Sequence, residues 1–158
     1  MRRLAISMLL LAFAAHGWAG FQSKDQSQDQ GKDQTKPEST DELRIDAARP
    51  EDRPALRIQA AQAQLRLADV LYTEGKTDLA RAAVAGVVTD SQKAGDAAIL
   101  SRKHMKNVEI AARKMAARLR DIKRTLNFED QPPVEQAIQS LEDIRTALLK
   151  EMFKKDKK

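Results

Sequence analysis

The chain has 158 residues, enough for one domain with appendages. It is 42% hydrophobic but only 4% aromatic, so a core must be packed from Ala, Leu, Val and Ile, which suits helix against helix better than a sheet sandwich. There is no cysteine, which excludes disulfides and thiolate metal sites, and the formal charge of +5 comes from well-mixed signs.

Arg2 and Arg3, an apolar run from Leu4 to Ala15, and the small residues of Gly17-Trp18-Ala19 follow the order of a secretory leader. Residues 1–19 are therefore expected to be a signal peptide, and the protein to be exported, to a bacterial periplasm or out of the cell. The apolar run is short for a bilayer, so no stable membrane span is expected. Removing 1–19 takes away two arginines and no acid, which lowers the charge from +5 to +3.

Residues 20–48 read as a disordered linker. Gln22, Gln26, Gln28, Gln30 and Gln34 alternate with Ser, Lys and Asp, and after Phe21 no large apolar side chain occurs up to Glu42. Such a stretch buries too little surface to offset the entropy of ordering its backbone. A helical domain is expected over 49–154 and a basic tail over 155–158.

The first helix is predicted from Pro50 to Glu74, with Pro50 and Pro54 tolerated in its first turn. It carries two apolar seams, Leu56-Ala60-Ala63-Leu67-Val70 and Ile58-Ala61-Leu65-Ala68-Tyr72. Gly75 is placed to end it in a left-handed conformation, and Thr77 to cap the next helix. The spacing of Ala68, Leu71, Gly75, Ala80 and Val84 resembles a tetratricopeptide-type helix pair over about residues 64–84. That resemblance implies a tight antiparallel hairpin; no second copy of the pattern occurs in the chain.

From Thr77 to Asn127 an apolar seam recurs at alternating spacings of four and three: Ala80, Val84, Val87, Ser91, Ala94, Ala98, Ser101, Met105, Val108, Ala112, Met115, Leu119, Ile122, Leu126. It predicts one continuous helix roughly 75 Å long. Extra apolar residues at Leu79, Ala83 and Val88 need a further neighbour. Either the rod dimerises, or the helix breaks near 88–96, between Gly86 and Gly95, and folds back into a four-helix bundle. The last helix starts at Pro132-Pro133, capped by Asp130 or Gln131, with Val134, Ala137, Ile138, Leu141, Ile144, Leu148, Met152 and Phe153 as its apolar positions. The fold class is thus all-α, antiparallel hairpins around one central helix. The first helix is expected along its N-terminal half and the last along its C-terminal half. Charge agrees with the second pairing: Ser101–Arg124 holds nine basic residues against two acids, and Glu129–Phe153 six acids against two basic residues.

No catalytic pattern emerges. Gly75-Lys76-Thr77 lacks the earlier glycine and the strand of a phosphate-binding loop. His104 has no second histidine to share a metal. Met105, Met115 and Met152 read as core fillers, and Glu142 and Asp143 diverge on a helix. The expectation is a non-enzymatic protein with no cofactor and no metal. Its one distinctive surface is a basic belt at mid-rod, Arg102, Lys103, Lys106, Lys154, Lys155, Lys157 and Lys158, suited to polyanions or acidic partners. The sequence therefore points to an exported helical scaffold that binds another protein. The alternatives are a periplasmic holdase-type chaperone and a binder of polyanions or the envelope surface. Nucleic acid is a poor fit because few aromatics are free to stack on bases.

Overall fold

The computed structural model describes residues 37–154, so the expected leader, the linker up to 36, and Lys155, Lys157 and Lys158 lie outside the described residues. The described chain forms α1 (Pro37–Ala47), α2 (Arg53–Thr73), α3 (Thr77–Ser101), α4 (Met105–Thr125), a 3-10 turn (Phe128–Asp130) and α5 (Gln131–Met152). It is an all-α bundle, as the apolar periodicity predicts.

The boundaries follow from local chemistry. Pro54 lies in the first turn of α2, and Pro132 and Pro133 in that of α5, where a missing N–H costs nothing. Gly75 adopts φ 72° at the end of α2. The N–H of Lys76 donates to the Leu71 carbonyl at 2.9 Å and that of Gly75 to Tyr72 at 3.1 Å, a Schellman closure. Thr77 is the first helical residue of α3 rather than its cap, and no side chain caps that helix. Asp130 precedes α5 but its carboxylate is held by Arg81 at 2.8 Å instead of capping.

Two expectations are corrected. The central helix is not continuous, and it breaks at Arg102–His104, not near 88–96. Both glycines stay helical because they are points of close approach. A Cβ on Gly86 would lie 3.2 Å from the Gln64 side chain, and one on Gly95 would lie 3.1 Å from Ile144 Cγ2. The bulk they leave out is what lets α2 and α5 pack against α3. The linker also ends earlier than position 48: residues 37–47 form α1, which is held by burial of Ile45 and by Glu42 and Asp46 reaching Arg57.

α2 packs antiparallel on α3, and α5 on α4, matching the expected halves. Break and fold-back then set the two hairpins side by side, α2 beside α4 and α3 beside α5. The register is regular. Asp69 meets Arg118, and Arg81 meets Asp130, each across 49 positions of sequence, and Gly95 meets Ile144 at the same offset. The parallel pairs therefore run in step. The core between them is Val84, Val87, Ala94 and Ala98 of α3, Leu119 and Met115 of α4, and Val134, Leu141 and Leu148 of α5, all essentially inaccessible. Folding back thus supplies, within one chain, the neighbour that Ala83 and Val88 require, while Leu79 stays 59% exposed.

On α2 the seam Ala61-Leu65-Ala68 faces this core, while the other seam faces outward. Ile45 of α1 stands beside Leu56, Ala60 and Ala63 of that outer seam. Leu67 and Val70, further along it, stay about half exposed.

Candidate functional site

Because α3 and α5 run in step, their C-terminal ends lie at the same end of the bundle, where α4 begins. Lys103 Nζ reaches Glu51 at 3.3 Å and brings the turn before α2 to that end too. Arg102, Lys103, Lys106 and Lys154 thus share one end of a bundle, and not, as expected, the middle of a rod. Lys155, Lys157 and Lys158 are outside the described residues. Lys154 pairs with Glu151 at 3.6 Å; Arg102 and Lys106 are exposed and form no ion pair among the described residues.

The backbone here is unusual. Arg102 (φ 52°) and His104 (φ 62°) are both left-handed without being glycine, at about 1–2 kcal/mol each. Local bonds hold them. Ser101 Oγ donates to the Ala97 carbonyl at 2.7 Å and accepts from the Lys103 N–H at 3.3 Å. The His104 carbonyl accepts from the Val108 N–H at 2.9 Å, which starts α4. Arg102, Lys103 and His104 are all exposed in this turn.

Two large apolar side chains share this end. Leu100 is 88% exposed and Phe153 is 78% exposed. Phe153 was expected in the core, but α5 stops at Met152 and leaves it outside. The sequence held a signal for Leu100, which falls between the seam positions Ala98 and Ser101, but none for Phe153, which adjoins Met152 among the apolar positions of the last helix. The opposite end has its own exposed aromatic, Phe128 (85%), but in acidic company, next to Glu129 and Asp130.

Other features are structural. A shallow groove of about 170 Å³ between α1 and α2, lined by Arg44, Ile45, Leu56, Gln59, Ala60 and Ala63, is smaller than the ~300 Å³ at which small-molecule sites begin. Met115 is core, and Met105 packs against it. Glu142 bridges Arg120 and Arg145, at 2.7 and 3.3 Å, which holds its carboxyl below the usual range. The Tyr72 hydroxyl and Ser91 Oγ are buried without hydrogen-bond partners, and burial pushes the Tyr72 phenol up. Gly75-Lys76-Thr77 is a helix-hairpin turn. Among the described residues no group of three or more His, Asp or Glu is arranged to hold a metal, and no helix is long and apolar enough to cross a membrane.

Comparison with protein-family models, with curated proteins and with solved structures found no match.

Proposed function

We propose that this chain is an exported, non-enzymatic helical binding protein whose working surface is the crossover end of the bundle, where an anionic partner is held. The observation that carries the reading is the gathering of Arg102, Lys103, Lys106 and Lys154 at one end, with Arg102 and Lys106 not engaged by an acid of the described chain. Like charges collected on an exposed end raise the local potential and draw anions over about a Debye length, ~8 Å at physiological salt. The test is retention on heparin with elution by moderate salt. The Arg102→Glu, Lys103→Glu, Lys106→Glu triple variant should lose it while keeping its helical circular dichroism; equal retention of the variant overturns the reading.

A second reading, a scaffold or adaptor for another protein, draws on a different surface. The outer seam of α2 leaves Leu67 48% and Val70 52% exposed beyond the part beside α1. Capture of one envelope partner that is lost in Leu67→Glu would favour it. A holdase-type chaperone would instead suppress aggregation of an unfolding client at near-stoichiometric ratio.

A further inference from the structure

We propose that the crossover end docks on an anionic lipid surface, with Leu100 and Phe153 entering the interfacial layer and Arg102, Lys103, Lys106 and Lys154 lying among the headgroups. This rests on the reading of that end as an anion-binding surface and names the anion.

The cations alone do not make the case. α3 and α5 both end here, and basic residues near helix C-termini are favoured by the partial negative charge of the last carbonyls. That accounts for Arg102 and Lys154 without any partner. It does not account for Leu100 and Phe153, which gain nothing from the helix ends and are more exposed than Leu67, Val70 or Leu79. A soluble polyanion such as heparin would use the cations and leave these two side chains in water. A lipid interface uses both, since apolar side chains enter the acyl boundary while Arg and Lys stay at the phosphates. Phe128 supplies the internal control. It is equally exposed, but Glu129 beside it, which forms no ion pair among the described residues, would be repelled by an anionic bilayer, while Asp130 already engages Arg81. The proposed contact is a surface one, and no described helix is long and apolar enough to cross a membrane.

The absence of native cysteine permits a clean test in the full chain. Leu100→Cys, Phe153→Cys and Phe128→Cys are each labelled with a polarity-sensitive fluorophore and mixed with vesicles of phosphatidylcholine, with or without phosphatidylglycerol. The expected result is a blue shift at 100 and 153 with anionic vesicles only, none at 128, and none anywhere with heparin. In unlabelled protein, each cation replaced by Gln should weaken binding to anionic vesicles roughly fivefold. Leu100→Ser with Phe153→Ser should weaken it roughly tenfold and leave heparin retention unchanged. The lipid assignment is overturned, with the anion-binding reading intact, if heparin is retained but the labels at 100 and 153 do not shift, or if 128 shifts as much. Loss of both vesicle and heparin binding removes the two together. The label signals are read at named positions, so the apolar run near the N-terminus does not confound them, and each unlabelled variant is compared with the native chain, which carries the same run.

Discussion

Arg57 and Lys123 are both basic residues that tie one helix to another, yet they sit in opposite settings. The Arg57 side chain is 8% exposed and meets Glu42 and Asp46 of α1 and Asp90 of α3. Lys123 is 34% exposed and meets only Glu135 of α5, itself 57% exposed. The first joins three helices through a desolvated guanidinium; the second is the open end of a ladder whose other rungs, Arg120–Glu142 and Arg145–Glu109, are less exposed, Glu109 being buried. A fixed planar fork serves several carboxylates at once, whereas an ammonium on a flexible stem in water gains little. The first hairpin thus uses charge to fasten a segment, and the second uses charge to choose its partner face.

The largest effect should come from Arg57→Ala. It leaves Asp90, whose side chain is 14% exposed, without its cation, and leaves Glu42 with Lys93 alone. Stripping one partner from a buried pair costs on the order of 3 kcal/mol. Urea unfolding should show that loss, and hydrogen exchange should show α1 amides released well before those of α2. A loss under 1 kcal/mol would put Arg57 in the same class as Lys123.

Acid should separate the two settings next. Hydrogen bonds from Arg57 and Lys93 hold the Glu42 carboxyl down to about 2, against an ordinary 4.5. A depressed carboxyl stabilises the fold above its unfolded value and ceases to do so as pH falls through its folded value. The contribution is therefore lost between about 4.5 and 2. Asp90 runs the other way, because burial raises it, so it offsets part of the loss. Between pH 6 and 3, thermal stability should fall more in the native chain than in Glu42→Gln. Parallel curves would show that α1 is not held by this carboxylate.

The crossover that joins the two hairpins offers a smaller change of opposite sign. His104 is exposed and left-handed at φ 62°. His104→Gly removes the Cβ clash, offset in part by the greater conformational entropy of the unfolded chain, for a net gain of about 0.5–1 kcal/mol. Urea unfolding at neutral pH checks it; a loss of stability would mean that the imidazole makes a contact worth more than the strain.

These features also show where the sequence was legible. The heptad seam from Ala80 to Ile122 located every buried position of the central region except flanking ones such as Ala83, Gly95, Glu109, Ala111 and Ala116, because burial on a helix follows period alone. Opposite charge on α4 and α5 named the right pair. The break was not legible. Glycine is the usual marker, but Gly86 and Gly95 serve contact, while the turn falls on Arg102 and His104, whose side chains announce nothing. Its cause is tertiary, the burial gained when the second hairpin returns to the first. α1 was missed for a related reason. Its composition is polar, and what holds it is tertiary: Ile45 buried against α2, and Arg57 and Lys93 reaching Glu42 from fifteen and fifty-one residues away. The basic cluster was legible as a set of residues but not as a place, since its location depends on that break.

The smallest effect concerns the ladder itself. Lys123 Nζ and Glu135 lie 2.6 Å apart, a geometry that on distance alone looks nearly as strong as Arg57–Glu42 at 2.5 Å. Water reaches both groups, and each side chain gives up rotamer freedom to hold the pair. A double-mutant cycle with Lys123→Ala and Glu135→Ala should therefore return a coupling of about 0.5 kcal/mol or less. At roughly 1 M salt, where the Debye length is ~3 Å, it should fall towards zero. The single variants should still assemble α4 on α5, because Leu119, Ile122, Val134 and Leu141 carry that interface. A coupling above 2 kcal/mol that survives high salt would mean the ladder holds the second hairpin together as Arg57 holds α1. The distinction between fastening and choosing would then collapse.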